Sequence, residues 1–316
     1  MSCAAALLLF FSSFAAPESR LLKGYDVDRG EIGIVYHRGW QTWRGEDMAD
    51  FVERKVRDVE STLGRELGRS ITVVLTPGRK ELHRLVEQVV ERRPHDNLQG
   101  LALPARDWIF VGGEGVSGQA GRPGSAHETL LHEITHLVNH GARNSIIPRW
   151  FDEGVCMWVS GNRILPKDEA YLCGLAHVGG LFRVRQLETE FPRLHLLGTI
   201  AYQESQMMVS FLVEEHGSKI LSNLLSELDA GKDFGRAYED QTERSWADFE
   251  AQFFRWLSGR RNLLEVIASL VNVWTFIAFL GLIAIFRSVL RERKLRRKLE
   301  VEEKAAEEGD VGVVSE

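Results

Sequence analysis

Three short apolar runs in the first third of the chain, Ile32–Tyr36, Ser70–Leu75 and Asp107–Val111, are rich in β-branched and aromatic residues, and the pattern predicts a strand at each. Between them, Glu46–Leu67 and Arg79–Arg93 repeat apolar residues at helical spacing. Thr76-Pro77-Gly78 closes the second strand and Pro94 the second helix. A Gly-rich stretch, 112–124, follows the third strand. Beyond it the spacing is helical, with helices predicted near 126–140, 148–160, 199–216, 218–229 and 245–258. Strands first and helices after imply an α+β fold, a small mixed sheet followed by a mainly helical lobe.

The two ends of the chain carry a different pattern. Residues 4–16 are apolar or small, have the length of a signal-peptide core, and offer Ser13 and Ala15 as small residues before a cleavage, although no basic residue precedes them. Val266–Phe286 runs 21 residues without a charge, and at about 1.5 Å per residue such a helix crosses a hydrocarbon core of roughly 30 Å. Seven of the next twelve residues, 287–298, are Lys or Arg, a cluster that stays on the cytoplasmic side. The expected organisation is therefore a signal-like segment over 1–16, an ectodomain over 17–262 facing the periplasm or the exterior, a transmembrane helix over 263–286, and a cytoplasmic tail over 287–316.

Composition changes this picture little. The 316 residues are 44% hydrophobic and 27% charged, which is ordinary globular usage. With 39 Lys+Arg against 45 Asp+Glu the net charge is −6, so no excess of cations is present to neutralise a phosphate backbone, and a nucleic-acid partner is not expected. Cys3 falls in the signal-like segment. Cys156 and Cys173 are left, either as a disulfide of an exported domain or as two buried thiols.

The chemistry is concentrated in His132-Glu133-Ile134-Thr135-His136. Residues four apart share a helix face, so His132 and His136 can direct imidazole nitrogens at one ion while Glu133 lies within reach of a metal-bound water. Leu130, Leu131, Ile134, Leu137 and Val138 supply the apolar stripe of that helix, and Gly141 a residue to end it. Zinc in a catalytic site takes three protein ligands and keeps an open position. The next predicted helix opens with Pro148-Arg149-Trp150-Phe151-Asp152-Glu153-Gly154, and the short connection 142–147 lets Glu153 face the two histidines. Asp152, Asn139 and Glu128 are candidates to hydrogen-bond the far sides of the imidazoles.

These two segments resemble the gluzincin-type zinc metallopeptidases, and within them the peptidase MA-like family: His-Glu-x-x-His, a short loop, then Pro-x-Trp-x-x-Glu-Gly. A third block is similar as well, Ala201-Tyr202-Gln203-Glu204-Ser205 with an apolar continuation to Gly217. The resemblance covers roughly 107–217. It implies Zn²⁺ as cofactor, His132, His136 and Glu153 as its ligands, and a peptide or protein as substrate. Glu133 would be the general base, and Tyr202 the phenol that donates to the developing oxyanion, with His177 and His195 as rivals for that role. It also implies that the strand before the metal helix, Asp107–Val111, is the sheet edge on which an extended substrate pairs.

Two classes of function fit these residues. One is a membrane-anchored peptidase that hydrolyses peptide bonds outside the cytoplasm. The other is a catalytically silent domain of the same fold that binds a protein partner at the membrane surface. Glu133 favours the first, because a purely structural metal has no use for a carboxylate base between two ligands. The sequence sets neither the cleavage specificity nor the oligomeric state.

Overall fold

The computed structural model describes residues 21–40, 46–94, 98–113, 126–141, 145–162, 164–192, 194–261 and 277–294. Five strands form one mixed sheet: β1 (Asp26–Gly30), β2 (Gly33–His37), β3 (Ile71–Thr76), β4 (Gly100–Leu103) and β5 (Trp108–Gly112), in the order β1-β2-β3-β5-β4. The β2–β3 and β3–β5 pairs are parallel, and the two outer pairs are antiparallel. Helix α1 (Met48–Leu63) follows β2 and α2 (Arg79–Val90) follows β3. Asp47 caps α1 by accepting from the Ala49 N–H, and Gly64 ends it in the left-handed conformation.

β3 and β5 carry apolar residues on both faces because both faces of the sheet are covered. Val73, Leu75, Ile109 and Val111 point into the main core with Val52, Val56 and Val59 of α1. Val74 and Phe110 point the other way, against Leu82, Leu85 and Val86 of α2. The helical lobe comprises α3 (Ala126–Asn139), α4 (Arg149–Val159), α5 (Pro166–Val178), a short 3₁₀ turn at Val184–Leu187, α6 (His195–His216), α7 (Lys219–Asp229), α8 (Phe234–Thr242) and α9 (Trp246–Gly259). Its centre is aromatic: Trp150 stacks at 6.4 Å on Trp246 and meets Phe234 edge-on at 5.1 Å.

The fold is thus α+β, a small mixed sheet and a mostly helical lobe. Strands β1 and β4 and helices α5 and α8 add to the elements the pattern predicts. One expectation is corrected. Asp107–Val111 corresponds to β5, which lies inside the sheet; the edge on that side is β4, because the chain makes a hairpin from Leu103 to Trp108 and lays Gly100–Leu103 outside β5.

The expected membrane helix is not part of the described fold. Among the described residues no helix is long and apolar enough to cross a membrane. Of the span 263–286, residues up to 276 lie outside the described residues, and 277–286 are helical, as are 287–294. The signal-like segment 1–16 and the tail beyond 294 also lie outside them.

Candidate active site

Helix α3 presents two faces. Leu130, Ile134, Leu137 and Val138 are fully buried in the core, and His132, Glu133 and His136 share the opposite side. Its C-terminal carbonyls are capped from a distance: Arg65 donates to Val138 O at 2.9 Å, and Arg69 to Leu137 O at 2.8 Å. Two cations at a helix C-terminus satisfy orphan carbonyls and oppose the helix dipole, which fixes the end of the element that carries the histidines.

Helix α4 meets α3 at this face. Glu153 is buried, and its Oε2 lies 3.3 Å from His132 Nε2 and 3.6 Å from His136 Nε2. Asp152 takes the other side of His136, with Oδ2 2.8 Å from Nδ1, and accepts from Asn139 Nδ2 at 2.8 Å through Oδ1. His140 Nε2 stands 3.4 Å from Asp152 Oδ2, behind the site. Of the candidates for orienting the imidazoles, Asp152 therefore holds His136, and Asn139 holds Asp152. The thiol of Cys156, one turn on, is fully buried beside this network, and Cys156 and Cys173 are both free and buried, so they do not pair.

These contacts set the protonation states. Burial works against charge on His136, but Asp152 and Cys156 override it and raise its pKa well above the usual histidine value. Burial would raise Asp152 and Glu153; instead His136 and His140 hold Asp152 well below the carboxylate range, and His132 with His136 holds Glu153 down. Glu133 goes the other way. Its burial outweighs the pull of His132 and His136 and pushes its carboxyl up, although the Ala102 backbone also hydrogen-bonds it. Burial pushes the Cys156 thiol well up too.

Glu133 is gripped by the sheet edge. A Cβ on Gly100 would lie 2.6 Å from Glu133 Oε1, so β4 passes directly against the carboxylate. Tyr202 on α6 also reaches the site, its hydroxyl 3.5 Å from Glu153 Oε1. Gly154 permits that approach: a Cβ there would lie 2.5 Å from Ser205 O. The phenol is pushed up to about 12 by burial and by Glu153, with Arg149 opposing. Arg149 donates to Glu153 Oε1 at 3.2 Å and lies over the Phe191 ring at 5.1 Å. Of the rivals to Tyr202, His177 bonds the Arg261 carbonyl at 3.2 Å, and His195 is exposed in the first turn of α6. His127 packs edge-on against Phe51 on α1.

A family model described as the Peptidase MA superfamily matches residues 92–250, from just before β4 into α9. The chain belongs to the peptidase MA superfamily. No curated protein matches it. Membership makes this a metallopeptidase domain with a peptide substrate, and the matched segment contains β4, α3, α4 and α6, the four elements that meet at the site.

Two donor separations in this peptidase MA domain suit a zinc ion. Tetrahedral coordination with bonds of 2.0–2.2 Å separates the donors by about 3.3–3.6 Å, and Glu153 Oε2 stands 3.3 and 3.6 Å from the two Nε2 atoms. Among the described residues, the three donors that all lie within 4.8 Å of one another are nitrogens of His132 and His136 and the Cys156 sulfur. Sequence reasoning named His132, Glu133, His136, Glu153 and Tyr202, and the structure brings all five together. It missed Gly100, Ala102 and Cys156, for which the sequence carries no signal. It also missed Arg149, whose four-residue spacing from Glu153 on one helix was the available sign.

Proposed function

We propose that this chain is a zinc-dependent peptidase in which His132, His136 and Glu153 hold the ion and Glu133 is the general base. The observation that carries the reading is the placing of Glu153 Oε2 at tetrahedral-edge distances from both Nε2 atoms, with a buried, proton-attracting Glu133 next to them. Bound zinc would polarise the scissile carbonyl and acidify a water. Glu133 then takes the proton of the attacking water and passes it to the leaving amine; its raised proton affinity suits the return step. Tyr202 donates its O–H to the oxygen that gains charge. β4, the edge strand that passes against Glu133, supports an extended substrate beside it.

Glu153 is a better third ligand than Cys156. His136 Nδ1 is engaged by Asp152, which leaves Nε2 for the ion, and Nε2 faces Glu153.

The membrane anchor and the outward-facing domain are part of the same proposal. Their support is the charge-free run to Phe286, the basic cluster after it, and the exposure of Phe279, Leu282, Ile285 and Phe286 along the 277–294 helix, which leaves these apolar side chains free for lipid.

The test is Glu133→Gln in the full chain. The variant should hold one zinc, as wild type does, and cleave none of the peptides that wild type cleaves. Undiminished cleavage would reject Glu133 as base, and a wild type without stoichiometric zinc would reject the metal site. Cys156→Ser should leave zinc content unchanged; its loss would transfer the third ligand to the thiol. Protease protection in sealed vesicles reads the topology, and a tail beyond 287 on the same side as the domain would overturn the anchor.

A further inference from the structure

Glu153 has two carboxylate oxygens with separate duties. Oε2 faces the histidines, and Oε1 receives Arg149 Nη2 at 3.2 Å and the Tyr202 hydroxyl at 3.5 Å. Guanidinium and phenol therefore converge on the same carboxylate oxygen, Oε1. An Arg–Glu pair four apart on a helix is ordinarily a solvated surface contact of little consequence. This one differs in three respects. Glu153 is buried; the Arg149 N–H is tied to Glu188 O at 2.8 Å; and the guanidinium lies over Phe191, which meets Tyr202 edge-on at 4.9 Å. Arg149 Nε is buried without a hydrogen-bond partner among the described residues, so the side chain is not there to satisfy its own donors.

We infer that Arg149 is a positioning residue of this site, acting through Glu153 and Tyr202 without touching substrate. Its planar fork fixes Oε1 and so leaves Oε2, and only Oε2, facing the histidines. It also steadies Tyr202, through the oxygen they share and through the Phe191 ring that both pack against. A contact of 3.5 Å to Oε1 is at the outer limit of a hydrogen bond, so the Tyr202 O–H turns to a carbonyl oxygen at little cost while Arg149 keeps the ring in place. Sequence motifs do not point to this role, because Arg149 occupies an unspecified position between Pro148 and Trp150.

This inference rests on the proposed peptidase reading, and its test separates the two. In the full-length, detergent-solubilised chain, Arg149→Met keeps the stem over Phe191 and removes the fork. Zinc affinity, measured by chelator competition, should fall about 10- to 100-fold, the usual loss when a partner behind a metal ligand is removed. On quenched-fluorescent peptides at saturating zinc, kcat should fall by a similar factor with KM within about twofold. Adding Tyr202→Phe to Arg149→Met should then cost little more than Tyr202→Phe alone, since both act at one point. Arg149→Lys preserves stem and charge but replaces the planar guanidinium, which lies over Phe191, by a compact ammonium, so it should show the same pattern even if Arg149→Met folds poorly. Guanidinium ion should restore part of the activity of Arg149→Ala and none to Tyr202→Phe. Losses that multiply in the double variant, with zinc affinity unchanged in both single Arg149 variants, would overturn the inference. A wild type that neither holds zinc nor cleaves peptide overturns the peptidase reading instead.

Discussion

Gly100 and Glu133 are in such close apposition that no side chain fits between them: a Cβ on Gly100 would stand 2.6 Å from Glu133 Oε1, 2.8 Å from its Cγ and 2.7 Å from Thr129 Cγ2. The sheet edge is therefore the surface against which the carboxylate is set. In Gly100→Ala the obstructing atoms belong to side chains, so the fold survives and Glu133 gives way. Displacement of a catalytic group by about 1 Å costs on the order of 100-fold in rate. We expect a loss in kcat of about that size with zinc content unchanged, read by steady-state kinetics alongside metal analysis. Wild-type kcat in a folded Gly100→Ala would show that β4 does not position the base.

His136 depends on Asp152 in a comparable way. Asp152 binds Nδ1 through Oδ2 and is held through Oδ1 by Asn139, which fixes the tautomer that turns Nε2 toward Glu153. Asp152→Asn keeps the shape but sets an amide donor against Asn139 or His136. Zinc affinity should drop about 10- to 100-fold. Chelator competition reads it, and an Asn variant that binds zinc like wild type would mean that Asp152 serves the packing of α4 alone.

How much of this was legible beforehand follows from the range of the interactions. Helices α3, α4 and α6 announce themselves because their apolar stripes are local in sequence, and β3 and β5 because burial on both faces demands unbroken apolar runs. β1 did not, since an edge strand with mostly exposed side chains, Asp26-Val27-Asp28-Arg29-Gly30, has no apolar face to repeat. β4 is four residues long and shows no polar alternation. Strand order is a long-range property, so nothing in Gly100–Leu103 says that it lies outside β5. At the site, the proposed ligands were readable because metal geometry imposes their spacing. The caps on α3 from Arg65 and Arg69, and the grip of Gly100 on Glu133, join residues 30 or more positions apart and leave no pattern in the chain.

Gly154 keeps α4 and α6 together. A Cβ there would lie 2.5 Å from Ser205 O, 2.9 Å from Ser205 C and 2.7 Å from Val209 Cγ2. Alanine is the better helix former by about 1 kcal/mol, but a backbone carbonyl inside a packed helix pair cannot move aside as a side chain can. Gly154→Ala should therefore be destabilising, by about 1–3 kcal/mol, and should part Glu153 from Tyr202. A lower urea midpoint together with weaker zinc binding is the expected result; a midpoint at or above wild type would mean that the helices separate without cost.

Glu204 lies on α6, two residues beyond Tyr202, and is fully buried. Its Oε2 accepts from the Phe182 N–H at 3.1 Å, Oε1 has no partner among the described residues, and Glu250 on α9 is the charged group whose field reaches it. Burial, with Glu250 adding, pushes its pKa up from 4.5 to about 8. Between those two values the folded chain holds a proton that the unfolded chain has released. Stability from this group is therefore fully present below about pH 4.5, falls as pH rises through the window, and levels off above about 8. The size is on the order of a few kcal/mol. Glu204→Gln retains an acceptor for Phe182 and cannot ionise, so its stability should exceed that of wild type increasingly from pH 5 to 8. Taking the difference between the two proteins at each pH cancels the titration of the His132, His136, Asp152 and Glu153 cluster, which both share. Urea unfolding at pH 5, 6.5 and 8 measures it, and parallel curves for the two would show that Glu204 is ionised in the fold.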